Sequence, residues 1–213
     1  MADMVELIDI FLQRKTTNRL VLEKPGIGKA IVNWLIASIL LFIVSVFWVS
    51  VYNFISAAIL GSGNPIEQIM SFTLLSLIAI MLSLPAAFIY VVLAFITAKI
   101  LGGKGSGIVK YFSIYLLVSA SILLIEAIIY PILLIPLVAI IPAFALAIYS
   151  LYLQANAAAS YFSFSTIRGA LTVIVPLLVI LAIVLAIVLL LIFIIALKSV
   201  SAYDLSSLPF PIS

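Results

Sequence analysis

The chain has 213 residues, of which 67% are hydrophobic and 8% charged, and its formal net charge is +3. A soluble domain carries roughly 25% charged residues, so this chain cannot cover itself with polar surface and water is excluded as its solvent. It contains no cysteine and no histidine, which removes disulfides, thiolate and imidazole metal ligands and the commonest general base; a charge of +3 gives no argument for nucleic acid.

Apolar stretches of 18 or more residues recur, each long enough to cross a hydrocarbon core about 30 Å thick. They are continuous rather than alternating, which argues against a β-barrel. The expected class is all-α: a polytopic bundle of five transmembrane helices preceded by a short amphipathic helix.

Residues 3–13 carry Met4, Val5, Leu7, Ile8, Phe11 and Leu12 on one helical face, with Asp3, Glu6, Asp9 and Gln13 opposite. The acidic polar face is unusual for gripping anionic lipid, so docking on the bundle or on a partner competes with lying on the membrane. The acidic start does not read as a signal peptide, and the first crossing helix is expected to serve as an uncleaved anchor. Pro25, Gly26 and Gly28 break the chain, so residues 1–29 form a cytoplasmic segment before the membrane.

The first span is expected at 30–60, with Trp34 near its inner end, and Gly61 to Pro65 form a turn. The second covers 66–101 and contains Pro85. A glycine-lysine stretch follows, and the third span covers 108–130, ending at a sharp reversal at Pro131. The fourth covers 132–157, interrupted by Pro136 and Pro142. A polar stretch from Ser160 to Arg168 offers Ser165 or Thr166 as an N-cap. The fifth covers 167–197, with Pro176 in its first half, and a short external tail takes up 199–213.

Basic residues set the orientation. Arg14, Lys15, Arg19, Lys24 and Lys29 precede the first span, Lys99, Lys104 and Lys110 flank the second loop, and Arg168 precedes the fifth span. Only Lys198 lies on the other side, so nine of the ten basic residues share one face. The positive-inside rule then places the N-terminus in the cytoplasm and the C-terminus outside. No internal repeat is evident, and five spans disfavour an inverted two-fold repeat within one chain, although a dimer restores such symmetry.

Gly102, Gly103, Lys104, Gly105 and Gly107 resemble a phosphate cradle in composition only. A Walker A loop needs Ser or Thr after its Gly-Lys pair and a strand before it, whereas Gly105 follows Lys104 here and the flanks are lipid-length helices. The stretch reads instead as a helix reversal anchored by lysines, or as a partner-binding tip comprising Lys99, Gly102, Gly103, Lys104, Gly105, Gly107 and Lys110. Gln154, Asn156 and Arg168 mark a second cytoplasmic loop, where Gln154 and Asn156 either bond between helices or contact a ligand. Glu126 is the candidate intramembrane polar site; against this stands a place at the outer interface, just before Tyr130 and Pro131. Glu67 is interfacial. The alanines at 143, 145, 147 and 157–159 suggest close helix packing. No nucleophile–base pair, carboxylate dyad or metal cluster emerges, so neither an enzyme nor a cofactor is expected.

Two stretches carry a family resemblance: AKILGGKGSGIVKYFSIYLLVSASILL and LYLQANAAASYFSFSTIRGALTVIVP. The first resembles the glycine-lysine loop and following span of the Yip (Ypt-interacting) family of integral membrane proteins. The second resembles that family's polar stretch before a small-residue start to the fifth span, here Arg168, Gly169 and Ala170. The resemblance covers nearly the whole chain and implies a five-helix membrane domain with a cytoplasmic N-terminus. In eukaryotic members it implies vesicle traffic and Rab binding through cytoplasmic parts. This chain departs there, since about thirty residues precede its first span. Absent cysteine and abundant isoleucine suit a prokaryotic-type, thermophilic member, placed in the plasma membrane.

The leading expectation is a non-enzymatic membrane scaffold or adaptor that recruits partners, or organises membrane, through residues 1–29, the Lys99–Lys110 loop and the Ser160–Arg168 loop. Its partners are the lipid bilayer, a membrane or cytoplasmic protein and a second copy in a homo-oligomer. The alternative is a small oligomeric carrier or channel using the proline-broken spans and Glu126.

Overall fold

A computed structural model describes residues 4–12, 26–61 and 64–206. Arg14, Lys15, Arg19 and Lys24, and the chain end from 207 onward, lie outside the described residues. Those residues form six α-helices and no strand: α1 (Met4–Phe11), α2 (Ile27–Leu60), α3 (Pro65–Ile100), α4 (Ile108–Leu133), α5 (Pro136–Phe162) and α6 (Thr166–Ser206). The five after α1 are each long and apolar enough to cross a membrane, and the chain is a multi-pass helical membrane protein.

Local chemistry sets the helix ends. Gly61 closes α2 in the left-handed region at φ 63°, its N–H donating to the Ala57 carbonyl. Asn64 caps α3 by accepting from the Ile66 N–H at 3.1 Å, with Pro65 in the first turn, where a missing N–H costs nothing. At 1.5 Å per residue, α2 and α3 reach roughly 50 Å, well beyond a hydrocarbon core of about 30 Å.

Three expectations are corrected. The reversal after the third span does not fall at Pro131: α4 runs through it to Leu133, the chain turns at Leu134 and Ile135, and Pro136 opens α5. Proline favours a first helical turn, whose N–H groups have no intrahelical partner, so Pro136 suits the corner better than Pro131. The fourth span does not stop at 157 but continues to Phe162, which is fully buried and ties the helix end into the core. The helix of the fifth span does not end at 197 but continues to Ser206, while the apolar membrane-length stretch is Thr166–Ile195. Pro85, Pro142 and Pro176 all lie inside helices that continue on either side of them, so the spans are not broken at these prolines.

Helix α4 is the hub. It carries the longest series of buried side chains, from Tyr111 to Ala127, and packs most extensively on α2. It also touches α1, α3 and α5, while α6 lies against α5 and α3. The Tyr90 hydroxyl donates to the Val173 carbonyl at 3.1 Å and ties α3 to α6. The α3 and α5 contributions to the core come from their last turns, Tyr90 to Ala98 and Leu153 to Phe162, and those of α6 from its first turns. The core therefore sits toward the end bearing Lys99, Lys104, Lys110 and Arg168. Beyond it burial falls away on α3, α5 and α6, and α6 from Leu177 to Ile195 is almost entirely exposed.

Helix α1 docks on the bundle. Leu7 and Ile10 are fully buried, Phe11 meets Tyr149 edge to face at 4.9 Å, and the Tyr149 hydroxyl donates to the Phe11 carbonyl. The buried face is rotated from the expected stripe: Ile10, outside that stripe, is buried, and Leu12, inside it, is exposed. Periodicity alone cannot choose between two overlapping apolar faces; contact with α4 and Tyr149 does.

Candidate functional site

The glycine stretch is a packed corner. Gly102 adopts φ 84°, a left-handed turn that favours glycine. Gly103 and Gly105 are small for another reason. A Cβ on Gly105 would stand 2.6 Å from the Tyr161 ring and 2.7 Å from Phe162, and one on Gly103 would meet Phe162 and Phe164 at 3.0 Å. The end of α5 thus fills the space a phosphate would need.

The corner's N–H groups are also engaged. Gly102 donates to the Lys99 carbonyl at 3.0 Å, Gly103 to Ala98 at 2.9 Å and Lys104 to Phe162 at 3.1 Å. Gly107 donates to the Tyr161 hydroxyl at 2.9 Å, and that hydroxyl donates back to the Gly107 carbonyl. A phosphate cradle works by free N–H groups converging on an anion; four of these already have protein partners. The Lys99 ammonium caps the corner, donating to the Gly105 carbonyl at 2.6 Å and the Gly103 carbonyl at 3.3 Å, with the Phe95 ring 5.4 Å away. What remains for a partner is Lys104 and Lys110, both exposed.

Arg168 is exposed in the first turn of α6, at the same end as this corner. Gln154 and Asn156 are not loop residues: both lie well inside α5, half-buried, and Gln154 faces a cavity. Glu126 is half-buried beside Tyr130, sixteen residues along α4 from Lys110, or about 24 Å. The structure therefore brings the two basic loops together and leaves Glu126 apart. No cluster of three or more histidine, cysteine, aspartate or glutamate side chains occurs among the described residues.

A second feature escaped the sequence reading. A cavity of about 600 Å³ lies between α2, α3 and α4, with α5 at one side. Ser38 and Ser45 line it from α2, Ser76 and Ser83 from α3, Ser119 from α4 and Ser150 from α5. Trp34, Gln154, Tyr115 and Tyr130 add further polar groups, and no charged side chain lines it. The signal was present: Ser38 and Ser45, like Ser76 and Ser83, are seven residues apart, two helical turns on one face. Buried Ser113, Ser121 and Thr172 lie elsewhere, and each donates to a carbonyl of its own helix.

No protein-family profile, curated protein or solved structure matches the chain.

Proposed function

We propose that the protein is a non-enzymatic, Yip-like membrane scaffold or adaptor, with its N-terminus and basic end in the cytoplasm of a prokaryotic-type cell. The observation that carries this reading is the corner at 101–107. It is internally satisfied, sterically locked against the end of α5, and still exposes Lys104 and Lys110 beside the exposed Arg168. A rigid surface with free cations is pre-organised for an acidic partner surface, because little ordering entropy is lost on binding. Charge complementarity of this kind governs partner choice and encounter rate.

The test is affinity purification from native membranes after cross-linking. The wild type is expected to yield a stoichiometric protein cross-linked through Lys104 or Lys110. Because the double reversal also removes the cross-linking amines, it is read without cross-linker: Lys104→Glu with Lys110→Glu should abolish co-purification of that protein, and Glu126→Gln should leave it intact. Retention in the double reversal would overturn this reading, and self-assembly with a co-purifying small solute and no protein partner would support the carrier reading instead. The cavity favours that second reading; the unbroken helices at Pro85, Pro142 and Pro176, and the absence of Glu126 from the cavity lining, weigh against the form of it that uses broken spans.

A further inference from the structure

The serine-lined cavity has no part in recruitment through the basic corner, yet its chemistry is selective. At about 600 Å³ it falls within the range of small-molecule pockets, about 300–1,000 Å³. At about 30 Å³ per water-sized group it holds roughly twenty such groups. That suffices for a polar head and the first part of an acyl chain. No charged side chain lines it, so a phosphate or ammonium head would be buried without a counter-charge, which is strongly unfavourable.

The orientation of the hydroxyls narrows the ligand further. Ser45 donates its proton to the Phe42 carbonyl at 2.9 Å and Ser83 donates to the Ile80 carbonyl at 2.6 Å. The Ser83 oxygen keeps its acceptor capacity, while Ser45 also engages the Tyr130 hydroxyl and keeps at most one lone pair for a ligand. A matching ligand is uncharged and carries an O–H donor for the serine oxygens together with acceptor oxygens for the Trp34 and Gln154 N–H groups. Apolar lining from Phe42, Phe72 and Leu123 suits hydrocarbon. Ala79 and Ala86 line the cavity and are exposed on α3, inside a membrane-length helix, so the cavity is accessible along that helix at a depth where a chain can pass out into lipid.

From this we infer that the cavity binds a neutral, hydroxyl-bearing lipid of the diacylglycerol class, its hydroxyl on Ser45 and Ser83 and its chains leaving past Ala79 and Ala86. Binding here is independent of recruitment by the basic corner, so either reading can fail alone.

Trp34 lines the cavity and Trp48 is the only other tryptophan, so full-length protein with Trp48→Phe reports on the site by fluorescence. In phosphatidylcholine nanodiscs, diacylglycerol with brominated chains should quench Trp34 saturably at a few mole per cent. Brominated phosphatidylcholine at the same mole fraction should not. Ser45→Ala with Ser83→Ala should weaken the apparent affinity about tenfold. Ala79→Phe, which adds a ring at the cavity lining on α3, should fill the opening and remove the quenching, with an unchanged thermal midpoint showing that the fold is kept. Equal quenching by the two lipids, equal quenching by a brominated alkane, or an unchanged quenching midpoint in both variants would each overturn the proposal.

Discussion

Asn33 on α2 is fully buried, and neither atom of its side-chain amide has a hydrogen-bond partner among the described residues. An unsatisfied buried polar group costs about 1–3 kcal/mol, whereas an apolar group of similar shape carries no such penalty. Asn33→Leu should therefore raise the midpoint of thermal unfolding in detergent, by the equivalent of about 1–3 kcal/mol. A lowered midpoint would show that an internal water or bound molecule satisfies the amide. The glycine stretch teaches the same lesson about single residues. Its composition announces a helix reversal, but the separate roles of its glycines were not legible. Gly102 answers to its own backbone angle, while Gly105 answers to Tyr161 and Phe162, more than fifty residues further along the chain. No local pattern encodes that approach.

Between elements, the closest backbone approach involving a glycine is that of α5 and α6. A Cβ on Gly169 would stand 2.4 Å from the Ala155 carbonyl oxygen and 2.7 Å from the Ala159 side chain, which is how small residues let membrane helices pack. Gly169→Ala pits two effects against each other. Alanine is the better helix former by about 1 kcal/mol. Overpacking costs about 1–3 kcal/mol, and here the obstacle is backbone, which cannot rotate away. The expected outcome is a net loss of stability, read as a lower thermal midpoint, while Gly107→Ala, whose nearest neighbour would be 3.8 Å away, serves as the tolerant control. The alanines at 157–159 and the glycine after Arg168 made this contact partly readable in advance. The existence of the spans was legible from apolar length alone. Their ends were not, because Pro131 and Pro136 look alike in sequence and only the corner at Leu134 and Ile135 separates a proline inside a helix from one that starts it. The serine pairs on α2 and α3 were legible in principle but meaningful only once those two faces were seen to meet.

For the whole molecule, a chain apolar on nearly every helical face cannot tell in its sequence which surface meets protein and which meets lipid. The core turns out to lie toward the basic end, with the opposite halves of α3, α5 and α6 largely exposed. That asymmetry bears on topology. Turning the molecule over would put the Lys104, Lys110 and Arg168 end on the outer side, against the excess of lysine and arginine that cytoplasmic loops carry. In the sequence, Lys198 is the one basic residue after the fifth span's apolar stretch. The orientation with the basic corner inside should therefore be the one adopted. A reporter fused to the C-terminus should read external, and a membrane-impermeant amine reagent applied to intact cells should leave Lys104 and Lys110 unlabelled until the membrane is opened. Labelling of both lysines in intact cells, with a reporter that reads cytoplasmic, would invert the molecule. It would also remove the recruiting face from the cytoplasm and with it the scaffold reading, because an acidic cytoplasmic partner could no longer reach the corner. The lipid cavity would survive that result, since its opening past Ala79 and Ala86 faces lipid in either orientation.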